Sequence, residues 1–217
     1  DIAISNINKS TDPDCTATFF QTLCTLIDWC GTEAIKPEVF ETAEKAFKFN
    51  NLPCFSNSDE YSEKVHESAQ LVFRYSIKTL QNMAYQTLQP YIPTFVELLN
   101  EPNKRMRDLS LHLLAELIQH TDGSTLPNEL LHIVLGVSQN ELMKDNPFAY
   151  FAVKNLSASS PFNFTFSEVF KSLIPILMQR LYSSQTEEHS QSTQDLTSVD
   201  NCLSALGAIL MNVLGDS

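Results

Sequence analysis

Glycine is scarce in this chain, and its scarcity narrows the classes of protein to consider. Only 5 of the 217 residues are glycine. Glycine-rich phosphate loops and β-architectures dense in tight turns both need more of it. The sequence also lacks the P-loop, G-x-S-x-G, H-E-x-x-H and G-x-G-x-x-G motifs. We therefore predict neither an enzyme nor a cofactor site.

Positive charge and long apolar runs are also lacking. Lysine and arginine number 14 against 26 aspartates and glutamates, which gives a net charge of −12. An acidic surface repels nucleic acid and anionic lipid and attracts basic proteins, although acidity also serves solubility alone. No stretch approaches the roughly 18 apolar residues of a membrane helix. The sequence predicts no direct contact with nucleic acid or membrane.

The cysteines and histidines do not form a recognisable metal pattern. The five cysteines are odd in number and no two are spaced C-x-x-C, which is neither a disulfide framework nor a zinc pattern. The number and spacing of the cysteines fit best with free thiols in a reducing compartment. His112 and His120 lie eight residues apart but have no third ligand nearby in the sequence. We interpret them as surface or groove residues, and we predict no metal site.

Apolar residues recur at helical spacing along almost the whole chain. The i, i+3, i+4, i+7 pattern predicts about nine helices joined by short turns, and no strand-like alternation of any length occurs. The fold class is therefore predicted as all-α. Residues 1–13 read as a linker or frayed end, and 183–198 as a polar, acidic loop inside a repeat. We interpret residues 1–217 as a single segment cut from a longer chain.

Three segments share a motif at regular intervals. In each, a small residue (Ser110, Ala152 or Cys202) precedes a leucine by four positions, and another small residue follows that leucine directly. The leucines are Leu114, Leu156 and Leu206, which are 42 and 50 residues apart. The polar stretch 183–198 accounts for the longer interval. One interval back from Leu114 lies Val72, followed by the large Phe73 where a small residue is expected.

The interval matches a known class of helical repeat. A period near 42 with two helices per unit lies within the HEAT and armadillo range of about 40–47 residues. Small side chains let helix axes approach, and a unit with two apolar stripes has to stack on its neighbours to bury both. The expected fold is a right-handed α-solenoid of about four to five HEAT-type antiparallel helix pairs. The alternative is an irregular helical domain with evenly spaced helices.

Part of the chain resembles the karyopherin-β (importin-β) family of nuclear transport receptors. The segment 198–209 (SVDNCLSALGAI) is similar to a helix of that family that also follows a Ser/Thr/Glu-rich insertion. Residues 145–147 (DNP) and 173–177 (LIPIL) resemble the preceding parts of the same repeats. The resemblance spans about residues 59–214 and is closest to the C-terminal half of broad-cargo importins. Phe148, Ala149 and Lys154 depart from the family pattern.

The resemblance implies a protein-binding scaffold that works in nuclear import. Such receptors bind basic cargo, here ribosomal proteins or histones, on the concave surface made by their second helices. They bind Phe-Gly nucleoporins in apolar clefts between outer helices and release cargo to the GTPase Ran, all of which the parent receptor would do in cytoplasm and nucleus. The alternative is a HEAT scaffold of another assembly, such as a phosphatase, chromatin or cytoskeletal complex.

Acidic residues are the candidate contacts for basic cargo. Those on predicted second helices are Asp108, Glu116 and Asp200, with the neutral Asn201 next to Asp200, and they are placed to make hydrogen bonds with lysine and arginine, charge-assisted on both sides for the acids. A second candidate is a ridge of Glu60, Glu63 and Glu67, at i, i+3 and i+7 near a helix start, where acids are also favoured for the helix itself. The lone tryptophan, Trp29, is expected to pack in the core.

Overall fold

The computed structural model describes residues 2–48, 52–56, 62–121, 126–144, 146–159, 164–186 and 193–214. Among these residues there are eleven α-helices, several short 3-10 turns and no strand. The all-α prediction is confirmed for the described part of the chain. The helices are α1 (Ile2–Ile7), α2 (Pro13–Cys30), α3 (Pro37–Lys48), α4 (Ser62–Leu80), α5 (Ala84–Leu88), α6 (Ile92–Leu98), α7 (Lys104–His120), α8 (Asn128–Leu142), α9 (Pro147–Ser159), α10 (Phe164–Thr186) and α11 (Thr193–Leu214).

Local sequence signals set several of these helix ends. The Asp12 carboxylate caps α2 by accepting a hydrogen bond from the Asp14 amide at 2.9 Å, and Pro13 occupies the first turn, where its missing N–H costs nothing. Gly31 ends α2 with a φ of 62°, a conformation that glycine adopts without steric cost. The Asn103 side chain caps α7 through the Arg105 amide at 2.9 Å.

Two stretches predicted as linker or loop are helical instead. Residues 2–7 form α1, and Ile7 is fully buried, so the prediction of a frayed end was wrong there. α10 continues to Thr186 and α11 begins at Thr193, so most of the predicted loop 183–198 also belongs to helices. Residues 187–192 lie outside the described residues. Polar Ser, Thr and Gln residues break no helix by themselves, and their lack of apolar periodicity concealed these two helix ends.

The chain divides into two compact units, Asp1–Leu113 and Leu114–Ser217, with the boundary inside α7. In unit 1, α1 packs on α2 and α3 packs on α4. The second helices of these two pairs also lie side by side, since α2 and α4 share the most extensive contact in the unit. α7 is joined to α4 by a hydrogen bond from the Gln70 side chain to the Leu109 carbonyl at 3.2 Å.

Unit 2 repeats this arrangement of helix pairs. α8 packs on α9 and α10 packs on α11, and the second helices α9 and α11 lie side by side. The Asn155 side chain donates to the Ala115 carbonyl at 3.1 Å, which joins α9 to the part of α7 that belongs to this unit. Residues 143–146 are too short a connection for anything but antiparallel packing of α8 and α9.

The motif residues predicted from the sequence lie where helices meet. The small residues Ser110, Ala152 and Cys202 and the leucines Leu114, Leu156 and Leu206 are all buried. Gly207, the small residue after Leu206, is the departure, because it is exposed and nothing lies within 4 Å of where its Cβ would be.

One hydrogen bond recurs at the same motif position in both units. The Ser110 hydroxyl donates to the Phe95 carbonyl in unit 1, and the Cys202 thiol donates to the Leu177 carbonyl at 3.1 Å in unit 2. Each accepting residue stands two positions after a proline in the preceding helix, Pro93 or Pro175. These bonds define α6 and α7 as a further pair, and they fasten α7 to α6 and α11 to α10 in the same register.

Candidate protein-binding surfaces

Two of the acids predicted to meet cargo are buried in α7. Asp108 is 7% exposed and Glu116 is 3% exposed, so neither offers a surface carboxylate. The Lys104 ammonium lies 3.2 Å from the Asp108 carboxylate, one helical turn earlier. From Asp108 to Ile118 every side chain of α7 is buried except the half-buried His112. The prediction that these two acids face solvent was wrong, because α7 is enclosed by its neighbours on nearly every side.

Of the three acids in the predicted ridge on α4, Glu63 is the one that the structure describes as exposed. Glu60 lies outside the described residues. Glu63 is exposed in the first turn of α4, as the ridge requires. Glu67 is half-buried and forms an ion pair with Arg105 of α7, so it already contributes to the packing of unit 1. An ion pair at this exposure stabilises little, but it occupies the carboxylate.

The two remaining candidates, an acid and a neutral amide, lie on the second helix α11 of unit 2. Asp200 is exposed and Asn201 is half-buried. They precede Cys202, whose thiol points the other way, toward the Leu177 carbonyl of α10. Asp200 and Glu63 are therefore the predicted cargo-contacting acids that the structure places at the surface of a second helix, one in each unit.

The lone tryptophan is at the surface. Trp29 is 80% exposed, so the prediction of core packing was wrong. It ends a line of residues along one flank of α2, which we call the α2 stripe: Cys15, Phe19, Thr22, Leu26 and Trp29. Their spacing of four and three residues keeps them on one side of a helix. Leu26 is 42% exposed, whereas Phe20, Leu23 and Ile27 form a separate, buried face.

An apolar groove runs beside the α2 stripe, between α1 and α2. Its volume is about 560 Å³, and its lining is Ile2, Ala3, Asn6, Phe19, Thr22, Leu23 and Leu26. Ile2 is 82% exposed at the edge of the groove. The sequence did contain the signal for this surface, because α2 carries apolar residues on more of its circumference than one buried face needs.

Unit 2 has a smaller cleft between the end of α8 and the middle of α10. It has a volume of about 270 Å³ and is lined by Met143, Ile176, Gln179 and Arg180. The Arg180 guanidinium donates a hydrogen bond to the Met143 carbonyl, which fixes one wall of the cleft. Met143 itself is exposed and apolar, and methionine adapts readily to differently shaped partners.

Metal ligands, a reactive thiol and membrane-spanning helices were examined over the described residues as well. In that part of the chain no group of three or more His, Cys, Asp or Glu side chains is arranged to hold a metal ion. Burial raises the pKa of the Cys24 thiol to about 12, which keeps it protonated at neutral pH. None of the helices within the described ranges is both long and apolar enough to cross a bilayer.

Comparisons with known proteins give a fold and no family. No family model and no curated protein matches this chain. Among solved structures it is similar to an engineered protein whose crystal structure was determined by the Northeast Structural Genomics Consortium. The TM-score is 0.52 at 15% identity, over 99% of this chain and 86% of that chain. At this identity the likeness concerns the arrangement of helices alone.

Proposed function

We propose that this chain is a helical-repeat scaffold that works by binding other proteins. The observation that carries the proposal is the recurring fastening of second helix to first helix, Ser110 to Phe95 and Cys202 to Leu177. The side-by-side packing of second helices, α2 with α4 and α9 with α11, supports it further. On this proposal the pairs are HEAT-type units, four to five in number, stacked with a right-handed turn. Stacked units of this kind present extended surfaces for partner proteins.

The resemblance to karyopherin-β supports a more specific role in nuclear import. On this reading the scaffold is part of a receptor that binds basic cargo, such as ribosomal proteins or histones, in cytoplasm and nucleus. The net charge of −12 favours such cargo. Asp200 and Glu63 are the exposed acids that would contact it. Charge-assisted hydrogen bonds to lysine and arginine would supply the selectivity, with Ran engaging the parent receptor.

The cleft of unit 2 is the place where this proposal puts Phe-Gly nucleoporins. An apolar cleft between first helices, here α8 and α10, is what the resemblance implies for such segments. Met143 and Ile176 supply the apolar surface, and Gln179 and Arg180 form the polar border of the cleft. A phenylalanine side chain is of a size that a 270 Å³ cleft accommodates.

Binding to a panel of basic proteins tests the proposed role. The 217-residue chain would be used to capture histones and ribosomal proteins at low and at physiological salt. We expect saturable binding that weakens with salt, and a further loss of about two- to fivefold in the double variant Asp200→Asn, Glu63→Gln, as exposed charge pairs contribute modestly.

The matched control removes two exposed carboxylates from first helices, with Glu38→Gln in α3 and Glu129→Gln in α8. The control variant makes the same change in net charge but leaves Asp200 and Glu63 in place. If the control weakened binding as much as the test variant, the binding would be a property of net charge alone. Absence of binding at both salt concentrations would contradict the import role.

A further inference from the structure

We propose that one exposed side of α11 is a docking face for a helix pair of a partner protein, which packs on it as a further unit of the same repeat. The residues of this side, which we call the α11 face, are Leu203, Gly207 and Leu210. Their spacing of four and three residues places them on one side of the helix. Leu203 is 52% exposed and Leu210 is 44% exposed, and Gly207 between them is exposed too.

The corresponding positions of the preceding second helices are buried. Counted from the small residue of each motif, the positions that correspond to the α11 face are Val153, Ser157, Ala115 and Ile118. The first two lie in α9 and the other two in α7. All four are between 0% and 1% exposed. Since the residues at these positions are apolar or small in all three helices, the difference lies in what covers the same side of each helix.

A neighbouring second helix covers this side in the preceding units. The Asn155 side chain of α9 donates to the Ala115 carbonyl at 3.1 Å, which places α9 against this side of α7. α9 and α11 also lie side by side. The contacts therefore run from α7 to α9 and from α9 to α11, and the α11 face is where the second helix of a further pair would lie.

The composition of the α11 face differs from that of a capped end. Terminal units of helical-repeat proteins carry a polar outer face that keeps the array soluble, whereas Leu203 and Leu210 are apolar. Nothing lies within 4 Å of where a Cβ of Gly207 would be. A glycine with open space around it lets the axis of a second helix approach closely, with the two leucines packing on either side of the contact.

The charge of the chain favours a different protein over a second copy as the occupant. Two copies that each carry −12 repel one another. Asp200 is exposed one turn before Leu203 and adds a negative charge at the edge of the face. Its counterpart in α7, the buried Asp108, lies 3.2 Å from the Lys104 ammonium. The expected partner helix is therefore apolar opposite the leucines and carries a lysine or arginine opposite Asp200.

Addition of one helix pair to the full chain tests this inference. The probe is a copy of residues 122–159 joined after Ser217, because α9 within it is the helix that lies on the equivalent side of α7. Two short helices are marginally stable alone, whereas a tethered pair has an effective concentration in the millimolar range. We expect the added residues to be helical by circular dichroism, since the α11 face gives them a surface on which to pack.

Labelling of a cysteine placed on α11 measures whether the added pair covers the face. Leu203→Cys should react with a thiol reagent at least about tenfold more slowly in the extended chain than in the 217-residue chain. Mass spectrometry of the labelled peptides separates this site from the five natural cysteines. The matched control is Ser204→Cys, one residue along, whose counterpart in α9 is the exposed Lys154. Its rate should change by less than about twofold.

Equal labelling of Leu203→Cys in the two chains would overturn the proposal, whether or not the added residues are helical. Equal protection of Leu203→Cys and Ser204→Cys would overturn it as well, because the added pair would then cover α11 without the register of the repeat. Self-association of the 217-residue chain that is lost in Leu203→Glu would assign the face to a second copy instead. The inference rests on the proposed repeat of helix pairs and not on the import role, so a failure to bind basic proteins leaves it unaffected.

Discussion

Among the side chains that the structure describes, those that fill the centres of the two units are of different kinds. In unit 1 the rings of Phe40, Phe47, Tyr91 and Phe95 surround Phe73, with centroid separations from Phe73 of 5.0–6.1 Å. In unit 2 the buried apolar side chains that the structure describes are leucine, isoleucine, valine and alanine, with Cys202 and a single aromatic, Tyr150. Both units are built from helix pairs of the same kind. The difference between them therefore lies in the side chains that fill the space between the helices.

The aromatic cluster lies at the position where the chain departs from the repeat motif. Phe73 follows Val72 at the position where the other motif segments have Ala115, Ser157 or Gly207. A large ring needs more room between packed helices than a small residue does. Other rings pack around Phe73, with Phe40 stacked on it at 5.5 Å and Phe95 edge-on at 5.0 Å. The departure from the motif at Phe73 therefore coincides with an aromatic core, although both units are built from helix pairs.

The largest expected effect comes from removing the centre of the cluster. Phe73→Ala should lower the free energy of unfolding by about 3–5 kcal/mol, because it deletes a fully buried ring and leaves a cavity among four others. Denaturant unfolding of the full chain measures it. Tyr75→Ala, two residues along α4 and 38% exposed, is the control and should change stability little.

A core substitution in unit 2 can be compared directly with Phe73→Ala in unit 1. Leu156→Ala removes a fully buried aliphatic side chain from the regular part of the motif, at an expected cost of about 2–5 kcal/mol. If the stability of each unit is set by its own core, Phe73→Ala should lower the free energy of unfolding of unit 1. Leu156→Ala should lower that of unit 2. Identical unfolding curves for the two variants would mean that the cores are not distinct.

The next effect is a pH dependence confined to unit 1. His66 is 6% exposed and contacts the rings of Phe55 and Phe47 at 5.2 and 6.4 Å. Burial lowers the pKa of His66 from 6.5 to about 4, although its hydrogen bond with the Ala46 backbone and the nearby Glu63 carboxylate act in the other direction. The folded state therefore favours the neutral ring. The associated stability is complete above about pH 6.5 and lost progressively toward about pH 4, by up to about 3 kcal/mol.

Unfolding free energies between pH 7 and pH 4 measure this loss. In His66→Gln the slope over that range should be smaller than in the parent chain, because the titrating group is gone. An equal slope in the parent chain and in His66→Gln would show that the buried ring is not the source.

The smallest effect concerns the hydrogen bond that the two units share. Ser110→Ala removes the donor to the Phe95 carbonyl and should cost about 1 kcal/mol. Ser110→Cys installs the donor that unit 2 uses at Cys202 and should recover part of the loss, since a thiol is a weaker donor. Denaturant unfolding distinguishes the two. If both substitutions were neutral, the bond would contribute nothing to fastening the pair.

Much of the fold followed from apolar periodicity and end signals. Gly31 and Asn103 set helix ends as their residue types suggest, and the motif leucines are buried. The helix α1 escaped prediction because six residues are too few to show a helical period, and α1 is held by contact with α2 and α3.

The candidate sites were harder to predict than the fold. Helical spacing gives the side of a helix on which Asp108 and Glu116 lie, but not how many neighbours enclose that helix. Their burial depends on α4, α6 and α9, which approach α7 from distant parts of the sequence. Trp29 shows the opposite error, because it is an apolar residue at helical spacing that was expected in the core. It lies instead on a second, exposed face of α2.

A repeated unit is tested most directly by a crystal structure of the chain in which the pair α6–α7 is superposed on the pair α10–α11. We expect Pro93 to fall on Pro175, the Ser110–Phe95 and Cys202–Leu177 hydrogen bonds to coincide, and successive pairs to turn in a right-handed sense. Pairs that superpose only after a shift in register, or bonds to different carbonyls, would contradict a repeated unit and with it the proposed scaffold.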